Sequence, residues 1–415
     1  MLSTEVARRH KNAFHFTPKA RFDSAVSDLD RRIPELRGYE IMIGMMRILS
    51  MIGDGHTRSD DLFNSFSQFP LDLYWFGSEL RVVRTMREYK AALGGKVIAI
   101  GSTPIAVADQ KVRSLIEKHE TEGWVKRFSA YYLSSPEILK YFGIIPDLEC
   151  GTYLIDNGAG AQSVSFEPIP YNAEPEYLDA ATRIPLYREN VKNVWFRYLD
   201  EAKLAYLAFN HYPSVEDFRH IASSLFATVD AHPGSALVID FRNNGGGDYI
   251  RFDEILLDGF KKRKWLYEQG HLFGLIGRNT FSAAMMNALQ LRQQMHAILV
   301  GEPTGARPNS YNEAAHFVLP NSHFEGYIFT VVLPSRARQS SRSNPRQVAS
   351  SNLGRLPNWR RSCVELDNGQ DARPLTARTD EGVHSQLPLT TGCRSQSRLC
   401  RPKIGVLAEL SAIQK

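Results

Sequence analysis

Three short segments combine a reactive or polar side chain with a backbone feature that could position it. GDGHT at 53–57 places His56 just after a turn, DFRNNGGGD at 240–248 contains three consecutive glycines, and TFSAA at 280–284 contains Ser282. Histidine accepts a proton near neutral pH, and serine attacks a carbonyl once its own proton is removed. Backbone N–H groups beside glycines can bind an anion, either a phosphate or the oxyanion of a tetrahedral intermediate. The three segments together suggest nucleophilic catalysis.

Each segment alone also has a plainer structural interpretation. A glycine triplet after a strand is typical of a tight turn, and a single histidine often lies in a turn at the surface. Ser282 precedes an apolar-faced helix, and serine is one of the best helix N-caps. A helix N-terminus also stabilises negative charge on a carbonyl under attack, so this position suits both roles. A phosphate-binding loop is not indicated, because GEPTG at 301–305 has no following lysine and the triplet has the wrong spacing.

Hydrophobic periodicity places these segments on an α/β framework. Residues 18–52 predict two helices, the second ending at Gly53-Asp54-Gly55. LDLYWF and LRVVRTM predict strands, GGKVIAIGSTPIAVADQKVRSLIEKH predicts turn, strand, turn and helix, and 134–146 resembles a linker. Further on, strands are expected at 205–209, 235–240 and 297–300, with helices opening at Ser214 and spanning 283–295. This alternation predicts an α/β core over about 195–330.

The charge distribution separates the last 85 residues from the rest of the chain. The chain carries +5 overall, whereas residues 331–415 carry +8, so residues 1–330 carry −3. All 17 Tyr and 22 Phe precede residue 331, and the tail combines twelve Arg with eleven Ser. Such a composition has little apolar surface to offset the entropy of ordering and predicts a disordered tail. Two hypotheses explain the origin of this segment: it is a native flexible tail, or it results from translation out of the original reading frame.

Several classes of function are disfavoured by the same composition. The basic residues are concentrated in the tail and do not predict a nucleic-acid interface. No apolar run is long enough to span a bilayer, and no apolar stretch typical of a secretory signal follows the first charges. Four cysteines without a C-x-x-C, and the lack of H-E-x-x-H, predict neither a disulfide framework nor a metal site. No cofactor is expected.

The order of the motifs resembles the C-terminal processing (tail-specific) peptidase family of serine proteases. The resemblance is carried by GDGHT, LVIDFRNNGGG, TFSAA and LVGEPTGARPNSY, with GGKVIAIGSTPI similar to part of a PDZ domain. It implies a crotonase-like α/β core, a PDZ-like module and cleavage of peptide or protein substrates. The expected organisation is an N-terminal helical region (1–60), a PDZ-like module and linker (70–170), the catalytic core (195–330) and the tail (331–415). The family is largely exported or periplasmic, while the compartment and oligomeric state of this chain stay open.

By this resemblance Ser282 matches the nucleophile, and the amides of Ala283 and of Gly246 or Gly247 match the oxyanion hole. Arg307 occupies the position where many members have a catalytic lysine. Arginine stays protonated and cannot accept the serine proton, which excludes a Ser–Lys dyad at this position. Arg307 could instead bind a substrate carboxylate.

The tricorn-type branch of the family uses a histidine, and His56 is its match here. A supporting acid is expected downstream, and Glu313 and Glu302 are the candidates within the core. Asp54 is expected to shape the turn before His56. The sequence therefore predicts a serine peptidase. A catalytically impaired peptide-binding protein and a non-peptide esterase are the alternatives.

Overall fold

The computed structural model describes residues 2–59, 66–118, 120–181, 186–189, 192–267, 270–308, 312–321 and 323–331. Of the predicted tail (331–415), residues 332–415 lie outside these ranges. The two helices expected within 18–52 are confirmed as Lys19–Arg32 and Gly38–Ser50, joined by the 3-10 turn Ile33–Glu35. A further helix, Leu2–Arg9, precedes them and was not predicted.

A seven-stranded antiparallel sheet, here called the middle sheet, follows the N-terminal helices. Its strands are Leu71–Phe76, Glu79–Met86, Lys96–Ile100, Thr103–Pro104, Gly151–Asp156, Ala161–Phe166 and Tyr177–Asp179. Alternate residues of Leu71–Phe76 are buried, which explains the alternation of LDLYWF in the sequence. The short strands Ser67–Gln68 and Ile169–Pro170 pair separately, and Arg87–Ala92 forms 3-10 turns.

Helical segments connect the strands of the middle sheet. They are Ile105–Val112, the 3-10 turn Arg113–Leu115, Glu122–Tyr132 and Pro136–Tyr141. The prediction of a linker at 134–146 is wrong, because Pro136–Tyr141 is a helix whose Ile138 and Leu139 are fully buried. Proline is favourable in the first turn of a helix, so Pro136 starts this helix rather than preventing it.

The core sheet has five strands in the order of the chain. They are Val194–Leu199, Leu204–Phe209, Ala236–Asp240, Leu272–Ile276 and Ile298–Gly301. The first two strands are antiparallel, and the last four run parallel. Every residue of the three central strands is buried, as expected for strands covered on both faces. The α/β character expected for this region is therefore confirmed.

Helices cover the core sheet, and the loops that follow its parallel strands lie at one edge of the sheet. The helices are Leu186–Glu189, Val215–Ala231, Tyr249–Phe252, Asp258–Lys261 and Ser282–Met295, with a π turn at Asp253–Leu257 and a 3-10 turn at Lys264–Tyr267. Ser214 Oγ accepts the amide of Asp217, as the capping pattern predicted. Because parallel strands end at the same edge, the segments after Asp240 and Ile276 lie side by side there.

A third sheet joins the segment that follows the N-terminal helices to the last strands of the described chain. Its strands are Arg58–Ser59, Asn312–Val318 and Glu325–Val331, with Glu325–Val331 in the centre. Arg58 pairs with Tyr327 in antiparallel register, so the chain from Tyr327 to Val331 runs back along the residues preceding Arg58. Within the described ranges, no helix is long and apolar enough to cross a membrane.

Candidate active site

His56 and Ser282 lie together, although 226 residues separate them in the chain. His56 Nε2 is 3.0 Å from Ser282 Oγ, which is hydrogen-bond distance. His56 follows the helix Gly38–Ser50, and Ser282 lies at the edge of the core sheet where two parallel strands end. Proton transfer from a serine hydroxyl to an imidazole requires this arrangement.

The backbone of Ser282 adopts a left-handed conformation with φ of +48°. Such a conformation costs a residue with a side chain about 1 kcal/mol or more and is concentrated at functional sites. Ser282 is the first residue of the helix Ser282–Met295, and Phe281 is its N-cap, with no side-chain capping bond. The interpretation of Ser282 as a helix N-cap is therefore wrong, and its hydroxyl is directed to His56 instead.

Buried hydrogen bonds fix the backbone before Ser282. Thr280 Oγ1 donates to the carbonyl of Phe241 and accepts the amide of Gly277, while the Thr280 carbonyl accepts the amide of Gly305. The carbonyl of Asn244 accepts the amide of Phe281. These bonds tie the serine segment to the ends of two core strands and to the loop after the third.

The glycine loop approaches Ser282 closely. Gly246 and Gly247 have φ of +114° and +150°, in the region that favours glycine. A Cβ on Gly246 would lie 2.7 Å from Ser282 Cβ and 3.3 Å from the Ala283 nitrogen. The amide of Gly246 donates to Asn244 Oδ1 at 2.9 Å. Within the described chain, the amides of Gly247 and Ala283 have no hydrogen-bond acceptor, and Gly247 is exposed whereas Ala283 is buried.

A buried pair of side chains holds the turn that carries His56. Asp54 Oδ1 accepts the amides of His56 at 3.0 Å and Thr57 at 2.8 Å, as expected for a turn-shaping residue. Its other oxygen lies 2.9 Å from His10 Nε2, and both side chains are almost fully buried. Burial alone would raise the pKa of Asp54, but the hydrogen bond and charge of His10 outweigh it and hold that pKa below its ordinary value.

Aromatic rings enclose His56. Its ring centroid lies 4.7 Å from that of Phe281, which stacks on Trp124 at 4.3 Å. Burial lowers the pKa of His56 to about 4, against an opposing effect of Asp54. Its Nδ1 is buried and has no hydrogen-bond partner among the residues that the structure describes. His56 is therefore neutral at pH 7 and able to accept a proton, and the nearby charge of Asp54 stabilises its protonated form only in part.

The two candidate acids differ in their surroundings. Glu302 forms an ion pair with Arg278 at 2.7 Å and accepts a hydrogen bond from the hydroxyl of Tyr74. The side chain of Glu313 lies outside the described residues. Its backbone belongs to the strand Asn312–Val318, in which Asn312 pairs with Val331 and Ala314 pairs with Phe329. Phe329 in turn donates its amide to Thr57 Oγ1, so Glu313 lies at the end of this sheet nearest to His56.

Arg307 is held by a buried glutamate. Its guanidinium donates to the carbonyl of Glu120 at 2.9 Å, and its amide donates to Glu120 Oε2 at 3.3 Å. Glu120 Oε1 also accepts the amide of Gly55 at 3.1 Å. Burial raises the pKa of Glu120 to about 7. One carboxyl group thus connects the turn before His56 with the loop after the last core strand.

The sequence did not indicate the residues that support the site. These residues contact the segments that carry His56 and Ser282, and they are His10, Glu120, Trp124 and Asn244. Of the four, Asn244 lies within a motif that the sequence singled out. No group of three or more metal-ligating side chains occurs within the described ranges. The described site brings together a hydroxyl, an imidazole and backbone amides.

Comparisons with known proteins identify the fold. No protein-family model and no curated protein sequence matches the chain. Among solved structures, mature CPAF complexed with lactacystin is similar over 79% of this chain and 89% of that chain, with 10% identity and a TM-score of 0.52. A serine-to-alanine mutant of CPAF gives 9% identity over 80% and 89%, with a TM-score of 0.51.

The photosystem II D1 C-terminal processing protease matches 80% of this chain and 86% of that chain at 14% identity, with a TM-score of only 0.37. The CPAF structures, with TM-scores above 0.5, are the ones that share the fold of this chain. At 9 to 10% identity they establish a shared fold: the chain is a mixed α/β protein with several sheets, built like CPAF over about four fifths of its length.

Proposed function

We propose that this chain is a serine peptidase of the C-terminal processing type, in which Ser282 is the nucleophile and His56 is the general base. The observation that carries the proposal is the 3.0 Å distance from His56 Nε2 to Ser282 Oγ. The strained backbone of Ser282 and the glycine loop beside it support the same assignment. The order of the sequence motifs and the fold shared with CPAF agree with it.

The proposed reaction begins when His56 Nε2 takes the proton of Ser282 Oγ as this oxygen bonds to the carbonyl carbon of the substrate. The carbonyl oxygen becomes an oxyanion, which accepts hydrogen bonds from the amides of Ala283 and Gly247. The amide of Gly246 would join them if it leaves Asn244. His56 then gives its proton to the leaving amine, and an acyl-enzyme forms. Water releases the acid by the same steps, with His56 again accepting a proton.

A carboxylate at His56 Nδ1 would complete the catalytic machinery. The protonated imidazole that forms during the reaction needs such a partner, and a pKa of about 4 makes His56 a weak base without one. We assign this role to Glu313, because its strand position is at the end of the sheet nearest His56. Glu302 is the weaker candidate, since Arg278 and Tyr74 already bind its carboxylate.

The scaffold suggests how a peptide would be held. We assign the core sheet and its helices to a crotonase-like core, and the middle sheet to a PDZ-like module that binds an extended segment by strand addition. Arg307 is exposed, and only one of its guanidinium nitrogens is bonded within the described chain. It is therefore available to bind a carboxylate of a peptide or protein substrate.

A fluorophosphonate probe tests the nucleophile directly. Wild-type protein should gain one covalent adduct, located at Ser282 by peptide mass spectrometry. Ser282→Ala should gain none, and Ser214→Ala, which changes a helix cap on the core surface, should label like wild type. His56→Ala should label at least about a hundredfold more slowly, because no base activates the hydroxyl. Unlabelled wild-type protein with a native circular dichroism spectrum would refute the proposal.

A further inference from the structure

A cavity of about 530 Å³ lies between the N-terminal helices and the helical segments that connect the strands of the middle sheet. It is bordered by the helices Lys19–Arg32 and Gly38–Ser50 and by the segment from Ser114 to Lys118. We call it the helix groove. None of its lining residues belongs to the site of Ser282 and His56. It is therefore a separate feature of the surface.

The rim of the helix groove is positively charged. Four exposed basic residues line it: Arg21, Arg32, Arg47 and Lys118. None of them forms an ion pair within the described chain. Asp28, the acidic residue among the lining side chains, is itself paired with Arg31. Residues 1–330 carry a net charge of −3, so this cluster is a local concentration of positive charge. Its field attracts an anionic ligand.

The floor of the groove is partly apolar, and the buried Thr17 and Ser50 also line it. Leu29 and Met51 are half-buried and Ile48 is buried, whereas Phe16 is 43% exposed. Inorganic phosphate or a nucleic-acid backbone would satisfy the rim but would leave this apolar surface uncovered. A peptide segment that carries both carboxylates and an apolar side chain fits both parts. The tail of this chain does not fit, because residues 331–415 carry +8.

We propose that the helix groove binds an acidic segment of another protein chain, with an apolar side chain on the floor and carboxylates on the arginines of the rim. This site goes beyond the proposed peptidase chemistry. It also adjoins the turn that holds His56, because a Cβ on Gly53 would lie 2.9 Å from the ring of Phe16. An occupant of the groove would therefore contact a residue that packs against that turn.

Binding can be measured on full-length Ser282→Ala protein by fluorescence anisotropy. The probe is a labelled peptide of about twelve residues, long enough to cross the groove in extended form, containing alternating Glu and Leu. Its matched control has Gln in place of every Glu. The glutamate peptide should bind at least about tenfold more tightly than the glutamine peptide, and this advantage should shrink at high ionic strength.

Charge reversal locates the site. Arg32→Glu combined with Arg47→Glu should weaken binding of the glutamate peptide by about tenfold or more. Arg219→Glu combined with Lys262→Glu makes the same change of net charge on exposed positions of the core and should leave binding within about twofold of the parent protein. A thermal melt verifies that each variant is folded.

Three outcomes would overturn the proposal: equal binding of the two peptides, equal effects of the two double variants, or displacement of the glutamate peptide by a polyphosphate at a lower concentration than by unlabelled peptide. Because Ser282→Ala has no nucleophile, none of these outcomes depends on the proposed peptidase activity.

Discussion

His10 Nε2 lies 2.9 Å from Asp54 Oδ2, and this buried contact joins the beginning of the chain to the turn that carries His56. Asp54 uses its other oxygen to hold the amides of His56 and Thr57. A residue 46 positions before His56 therefore acts on the position of its imidazole through one carboxylate.

Replacing Asp54 should destabilise the protein and displace His56. Asp54→Ala would remove a buried hydrogen-bond acceptor and leave the amides of His56 and Thr57 without a partner, so it should lower the free energy of unfolding by about 3 kcal/mol. Because the pKa of Asp54 is lowered, its contribution is present above its ordinary value of 3.8 and is lost as the pH falls below it. Urea denaturation at pH 7 measures the change. Asp147→Ala is the control, because Asp147 also accepts the amide of the residue two positions later but is exposed. An equally large fall in the free energy of unfolding in Asp147→Ala would contradict this role for Asp54.

The glycine loop offers a matched pair of substitutions. Gly246→Ala should abolish fluorophosphonate labelling, because its Cβ would lie 2.7 Å from Ser282 Cβ and its φ is +114°. The strain should also cost about 1–3 kcal/mol of stability. Gly245→Ala is the control, since a Cβ there meets nothing within 4 Å. Labelling rates and urea midpoints of the two variants give the comparison, and equal labelling would argue against close approach of the loop to Ser282.

The pH dependence of labelling should reflect the burial of His56. Only the neutral imidazole accepts the serine proton, and burial lowers the pKa of His56 to about 4. In Glu313→Gln, which lacks the carboxylate assigned to Nδ1, the rate should therefore stay constant as the pH falls from 8 to about 5 and decline with an apparent pKa near 4. Stopped-time labelling followed by mass spectrometry measures it. In wild type the carboxylate assigned to Nδ1 should move this decline to a higher pH, and a wild-type decline near 4 would contradict that assignment.

That carboxylate can be tested by a second matched pair. Glu313→Gln should lower kcat/KM for a peptide substrate by about a hundredfold or more, because the imidazolium loses its partner. It should also move the acid limb of the pH profile to lower values. Glu302→Gln should leave the pH profile unchanged and instead reduce stability, since Glu302 binds Arg278 and Tyr74. An unchanged profile in Glu313→Gln would remove Glu313 from the mechanism.

Glu120 should make the protein less stable as the pH rises. Burial raises its pKa to about 7 from an ordinary value of 4.5, so between these values the unfolded chain loses a proton that the folded chain retains. Stability therefore falls across this window, by up to about 3 kcal/mol. Glu120→Gln should lessen this fall, measured by urea denaturation at pH 5 and pH 8. The exposed Glu149→Gln should not change the pH dependence, and a wild-type-like slope in Glu120→Gln would contradict the assignment.

The elements that the sequence predicted well are those with a local pattern. Leu204–Phe209, Ala236–Asp240 and Leu272–Ile276 are buried throughout, and the first two were recognised as short apolar runs. The motifs that contain His56 and Ser282 were recognised from residue type and order. Their spatial meeting could not be derived from periodicity, since it depends on the packing of the N-terminal helices against the core.

Local patterns failed where a tertiary contact decides the outcome. The linker-like composition of 134–146 concealed the helix Pro136–Tyr141, whose Ile138 and Leu139 are fully buried. His10 and Glu120 gave no signal, because their partners, Asp54 and the amides of Gly55 and Arg307, are distant in sequence. A buried carboxyl group that bridges two loops leaves no trace in hydrophobic periodicity.

The pairing of Arg58–Ser59 with Glu325–Val331 has a consequence for biosynthesis. The ribosome produces the histidine segment early, yet its partner strand emerges some 270 residues later, after the serine helix is complete. Contacts of such long sequence separation form late in folding. Nascent chains halted before this strand would therefore carry both His56 and Ser282 without the strand that pairs beside the histidine segment, so the site can be completed only after residue 331 has been synthesised.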